Sequence, residues 1–269
     1  MDTQTLLTDY RRQGIVFPLP ALSKSEIEQA QQNYLRLCSP DKTVIEGEER
    51  VFGHLLYPWV ANLVSHPVII EAVRSLIGPN ILVWVSEFNA KPPQSQSFFS
   101  WHQDLYYWRH QYDNLRAIPL VTTWLALTST DETNGCMYIL PGSHTQLSPH
   151  AEKPCPHNLL TRAQEICVDV DESRSVPVKL AAGEFSIHHP LLYHASGPNC
   201  SAGPRIGFVT RYMAPEVIPP IRPAYMWLVS GEDRYGNWDH VAPLNSESGP
   251  ALRRRCIEAV QKITGARFR

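Results

Sequence analysis

A chain of 269 residues with 43% hydrophobic content can bury a sizeable core. Its 24 basic and 26 acidic residues give a formal net charge of −2, with no global field to draw in nucleic acid or an anionic membrane, so the expected partner is a small molecule. The apolar run Ile81-Leu82-Val83-Trp84-Val85 is far short of the ~20 residues of a membrane span, and Met1-Asp2-Thr3-Gln4 does not begin a signal peptide, so a cytoplasmic location is expected.

Helical signals come first along the chain. Ser23 followed by Glu26 makes a capping box, with Leu22 and Ile27 as a hydrophobic staple, and predicts a helix to about Leu37. A second helix starts at Pro67, carries Val68, Ile69, Val73, Leu76 and Ile77 as its apolar stripe, and stops at Gly78-Pro79. The pattern then turns to β. Ile81–Val85, Phe98–Asp104, Pro119–Leu127, Cys136–Leu140, Val178–Leu180, Glu184–His188 and Arg205–Tyr212 are short β-branched or aromatic segments divided by turn residues. Many short strands behind a helical preface predict a mainly β fold with flanking helices, built on a double-stranded β-helix of the jelly-roll, cupin-like kind. The chain reads as one domain: a helical part over 1–79, a core over 80–213 with an insert over 142–175, and an extension over 214–269. The insert is too long for an ordinary connection and is placed over the mouth of the barrel. Six cysteines with no Cys-x-x-Cys pair read as reduced, mostly buried thiols rather than a zinc cluster or a disulfide framework.

Two residues apart on the expected strand Phe98–Asp104, His102 and Asp104 would project to the same side, while Gln103 points away. With His194 they supply the two imidazoles and one carboxylate that hold iron(II) in oxygenases, leaving positions open for cosubstrate and O₂. A rival triplet, His150-Ala151-Glu152, lies in a stretch punctuated by proline and histidine where neither a strand nor a fixed ligand pair is expected.

Trp101-His102-Gln103-Asp104-Leu105-Tyr106-Tyr107-Trp108, Asn134-Gly135-Cys136-Met137-Tyr138-Ile139-Leu140-Pro141-Gly142-Ser143-His144, Gly183-Glu184 leading to His194-Ala195-Ser196, and Arg205 resemble the phytanoyl-CoA dioxygenase-like Fe(II)/2-oxoglutarate oxygenases. The resemblance implies that His102, Asp104 and His194 bind iron and that Arg205 grips the distal carboxylate of 2-oxoglutarate, a task suited to a rigid guanidinium fork. It further implies that Ser196 assists that carboxylate and that Asn89, Phe99 and Trp124 line the cosubstrate pocket. His188 and His189 are placed in strand structure, and His144 in a structural hydrogen bond. Halogenating relatives have a small residue where this chain has Asp104, so C–H hydroxylation or a related oxidation such as oxidative dealkylation is implied.

For the substrate, Tyr106, Tyr107 and Trp108, with Trp84, offer a wall for an amine through cation–π attraction, and Arg109, Arg162 and Arg211 offer charges for anionic groups. A small zwitterionic metabolite, such as an aminophosphonate or an amino-acid-derived natural product, is expected. Two other classes use the same residues: a zinc hydrolase on a cupin-like fold, and a non-catalytic jelly-roll binding protein. The basic clusters Arg253–Arg255 and Arg267–Arg269 read as the solvated face of a last helix.

Overall fold

The computed structural model describes residues 2–38, 45, 50–108, 118–160, 163–218, 225–245 and 254. Helix α1 (Thr3–Gln13) is capped by Asp2 and ends at Gly14, whose φ of 78° is left-handed. A Cβ there would stand 2.5 Å from the His144 ring, so glycine is required for space as well as for conformation. Helix α2 (Lys24–Leu37) carries the expected capping box, with the Ser23 amide donating to Glu26 Oε2 at 2.8 Å. The short helices α3 (Gly53–Leu56) and α4 (Pro58–Val64) precede α5 (Pro67–Ile77), which starts on proline as expected.

Strand β1 (Ile15–Pro20) lies inside the preface expected to be helical, and its two prolines hid it from a strand reading. It pairs with β9 (Glu184–His188) at the edge of a seven-stranded sheet, where proline is tolerated. The order, among the described residues, is β1, β9, β4 (Leu120–Ala126), β11 (Arg205–Met213), β2 (Ile81–Lys91), β12 (Tyr225–Ser230) and β13 (Asp239–His240). Strand β12 comes from the segment expected as an extension, so that segment contributes to the main sheet. A four-stranded sheet opposes it, in the order β3 (Phe99–His102), β10 (His194–Ser196), β5 (Met137–Ile139) and β8 (Val176–Val178). The strand expected at Val178–Leu180 is shifted toward the N-terminus, with Leu180 making an isolated bridge to Thr130. The insert is not structureless: β6 (His150–Glu152) and β7 (Gln164–Ile166) form a hairpin, which places His150 on a strand where none was expected.

Alternation divides the large sheet's side chains between two faces. Phe88, Leu125, Phe185 and Phe208 pack with Tyr34 and Val73 of the helices in one core cluster. Trp124 and Val209 point the other way and pack with Met137, Ile139 and Leu192 between the sheets. Register sets the inner face in rungs: His188, Thr122 and Arg211 in one, Ser186, Trp124, Val209 and Glu87 in the next, then Gly207 with Asn89, and finally Arg205 with Lys91. No single helix among the described residues is long and apolar enough to cross a membrane. The five described cysteines are free, but only Cys136 is buried, and Cys167 and Cys200 are exposed on loops, against the expectation of mostly buried thiols.

Candidate metal and cosubstrate centre

His102 and His194 face each other across adjacent strands of the smaller sheet, β3 and β10. Strand β3 ends at His102, and Asp104 opens a 3₁₀ turn (Asp104–Trp108), so Asp104 is not on a strand as expected from sequence alternation. The turn still brings its carboxylate to the two imidazoles: one ligand atom from each of the three buried residues lies within 4.8 Å of the others.

Each imidazole is oriented by its own backbone. His102 Nδ1 lies 2.8 Å from the Ser100 carbonyl and His194 Nδ1 2.9 Å from that of Leu192, so each Nδ1–H donates to a carbonyl and Nε2 is left with its lone pair for a metal. Burial pushes His102 down to about 4, a shift that Asp104 partly opposes, and holds His194 well below the usual imidazole range. Burial would raise the Asp104 carboxyl, yet the Arg211 guanidinium with His188 and His194 holds it well below the carboxylate range. At neutral pH all three groups therefore stand in their ligating forms, which fits a divalent transition ion on two nitrogens and one oxygen.

Arg211 Nη2 donates to Asp104 Oδ1 at 2.8 Å, and Thr122 Oγ1 donates to Oδ2 at 2.8 Å. His188, on the same rung as Thr122, has Nε2 3.7 Å from Oδ2 and lies outside the ligand triad. Both its ring nitrogens are buried without a hydrogen-bond partner. The rival His150 is fixed differently: Nδ1–H faces the Ser148 carbonyl at 2.8 Å, and Nε2 accepts the Gln103 N–H at 3.2 Å. His189 Nδ1 accepts the Leu191 N–H at 3.0 Å, and His144 Nε2 lies 3.2 Å from the Arg11 carbonyl, both structural contacts.

Farther into the sheets, Arg205 is 1% exposed, with Nε and Nη2 unpartnered and its guanidinium 5.2 Å from the Trp124 ring. Unpartnered buried donors are costly unless a ligand satisfies them. Sequence reasoning missed Lys91, the register partner of Arg205. A lysine on a strand reads as surface, and only its place beside a buried arginine marks it. Its Nζ donates to Ser196 Oγ at 2.6 Å and sits 5.6 Å from the Phe99 ring centre, and burial together with Arg205 pushes it down to about 6. Arg205, Lys91, Ser196, Phe99 and Trp124 are thus brought together, with the Asn89 Oδ1 buried and unpartnered on the rung between Lys91 and Glu87. Two buried basic side chains and a hydroxyl, with no carboxylate paired to them among the described residues, fit the dicarboxylate chemistry of 2-oxoglutarate.

Tyr106, Leu147, Ser148, Pro149 and His150 line an open cavity of about 370 Å³ next to the ligand segment. Gln103 ties this wall to that segment: its Nε2 donates to the carbonyls of Gln146 and Leu191, and its Oε1 accepts the Ser148 N–H at 2.8 Å. Arg109 and Arg162, the side chains of Tyr107 and Trp108, and the C-terminal basic clusters apart from Arg254 lie outside the described residues.

The family model described as phytanoyl-CoA dioxygenase matches residues 10–207. The peroxisomal phytanoyl-CoA dioxygenase of Rattus norvegicus is 32% identical over 151 residues, which cover 54% of this chain and 43% of that protein. The chain thus spans about half or less of the length of the mammalian relatives it matches. Among solved structures, the non-heme monooxygenase ThoJ in its apo form is 33% identical with a TM-score of 0.81, over 98% of this chain and 97% of that one. CytC3 with Fe(II) and alpha-ketoglutarate is 25% identical with a TM-score of 0.63, over 88% of this chain and 91% of that one.

Proposed function

Because the chain belongs to the phytanoyl-CoA dioxygenase family, we propose that it is an Fe(II)/2-oxoglutarate-dependent dioxygenase, folded as one domain. It hydroxylates or oxidatively dealkylates a C–H bond of a small polar metabolite in the cytoplasm. The observation that carries this reading is the pairing of a buried two-histidine, one-carboxylate triad with a buried Arg205 whose Nε and Nη2 have no partner. A zinc hydrolase would have no use for that guanidinium.

In this reading His102, Asp104 and His194 hold Fe(II). Arg205 takes the distal carboxylate of 2-oxoglutarate, with Lys91 and Ser196 beside it. Trp124 and Phe99 form apolar walls around the cosubstrate, and Asn89 offers an amide oxygen toward it. Iron with 2-oxoglutarate and O₂ supplies the oxidising power, with succinate and CO₂ released. The protein positions the substrate and shelters the site from water. We place the substrate in the open cavity bounded by Tyr106 and His150. We take that substrate to be zwitterionic.

Anaerobic titration of the apo-protein with Fe(II) and then 2-oxoglutarate tests the proposal. A weak visible charge-transfer band is expected in wild type and not in His102→Ala, and Arg205→Ala is expected to demand far more 2-oxoglutarate to develop it. Tight zinc binding with no band would turn the reading to a hydrolase. Substrate-stimulated succinate release across amines, amino acids and aminophosphonates then tests the substrate class.

A further inference from the structure

We infer that Arg211, backed by Glu87 and Arg50, is a positioning residue that fixes the Asp104 carboxylate toward the metal, rather than a contact for the substrate. The inference rests on the reading of His102, Asp104 and His194 as metal ligands.

Asp104 stands on a short turn at the end of β3, with no strand of its own to fix its side chain. Its carboxylate is instead held by the opposing sheet. Thr122 and Arg211 are register partners on β4 and β11, so their side chains emerge side by side on the inner face. Thr122 Oγ1 donates to Oδ2 and Arg211 Nη2 to Oδ1, each at 2.8 Å. A carboxylate gripped at both oxygens is fixed in orientation, so the lone pairs it keeps for a cation point one way.

Arg211 is itself held from behind. Its Nη1 lies 3.7 Å from Glu87 Oε2, and Glu87 Oε1 is ion-paired to Arg50, whose Nε donates to the Phe88 carbonyl at 3.3 Å. Charge alternates from Arg50 through Glu87 and Arg211 to Asp104, and exposure falls along the way, from 32% at Arg50 to 2% at Asp104. A guanidinium set between two carboxylates serves them before it serves an incoming anion. His188, buried on the same rung, has Nε2 3.7 Å from Oδ2.

Simple charge and positioning predict opposite signs. Deleting a cation beside a metal site should tighten metal binding, whereas loosening the carboxylate should weaken it, typically by about 10-fold or more. The test is Co(II) binding to the apo-protein by calorimetry, with the visible bands of the Co(II) form recorded. Arg211→Gln is expected to raise the Co(II) Kd at least about 10-fold and to alter the bands. Thr122→Val, which keeps the side-chain shape, should raise it several-fold and decides the matter if Arg211→Gln does not fold. Glu87→Gln should weaken binding less, and its effect should be non-additive with that of Arg211→Gln.

Unchanged or tighter Co(II) binding in Arg211→Gln or Thr122→Val overturns the proposal. So does wild-type Co(II) affinity in Arg211→Gln with substrate-stimulated succinate release lost, which would make Arg211 a substrate contact. His102→Ala separates the two levels of argument: if it too leaves Co(II) affinity intact, the metal-site reading itself fails.

Discussion

Lys91 and Arg205 are two basic side chains buried side by side, an arrangement whose cost depends on what it binds. Burial and the neighbouring guanidinium bring Lys91 down to about 6, so at neutral pH it stands largely as an amine donating to Ser196 Oγ. Its folded pKa lies below its unfolded one, so between about 6 and the ordinary lysine range the unfolded chain holds a proton that the folded chain lacks. Over that window this residue makes folding more favourable as pH rises. A bound carboxylate reverses the preference by restoring the ammonium. Binding of 2-oxoglutarate to the metal-loaded protein at pH 7.5 is therefore expected to take up close to one proton, read from calorimetric enthalpies in buffers of different ionisation heat. Lys91→Met should abolish the uptake and weaken binding, and uptake that survives unchanged in that variant would remove Lys91 from the cosubstrate site.

At the scale of elements, β11 supplies both ends of the site, with Arg205 at one end, Arg211 two turns of the pleat beyond Gly207, and Gly207 between them. A Cβ on Gly207 would lie 2.0 Å from the Trp124 ring, the same ring that faces the Arg205 guanidinium. Gly207→Ala must push the indole aside, an overpacking that costs about 1–3 kcal/mol. Because the indole is also the platform under Arg205, the KM for 2-oxoglutarate should rise several-fold with Co(II) affinity unchanged. A loss of thermal stability with no change in KM would leave Gly207 a packing residue only. The strand was legible from sequence as a β-branched and aromatic run opening on Arg205, and so were the capping box at Ser23 and the proline start at Pro67. What escaped depended on tertiary pairing. β1 carries two prolines that only a sheet edge accommodates, and Lys91 reads as solvated until its register partner is known to be Arg205. His102 and Asp104 were identified through an alternation that Asp104 does not obey. The turn beginning at Asp104 aims its carboxylate at the same point that a continued strand was expected to reach.

In the whole molecule the site joins two sheets that are otherwise held by apolar packing between them. His102, His194 and Ser196 belong to the smaller sheet, and Arg205, Lys91, Trp124, Thr122 and Arg211 to the larger. On the proposed function, a metal ion on the triad would engage the smaller sheet and the turn after β3, whereas the distal carboxylate of 2-oxoglutarate would engage the larger. A cosubstrate that chelates the metal ties the two together, so each should bind more tightly in the presence of the other by the same factor. Ligand at 100 times its Kd adds about 2.7 kcal/mol to stability, which for a chain near this size is a rise of roughly 5–10 °C in Tm. We expect Co(II) alone to raise Tm, 2-oxoglutarate alone to raise it little, and the two together to exceed the sum of their separate shifts. Arg205→Ala should keep the Co(II) shift and lose the extra rise, because the metal half of the staple stays intact while the grip on the larger sheet is gone. Additive shifts in wild type, or a full combined shift in Arg205→Ala, would mean that the cosubstrate does not bridge the sheets through this arginine.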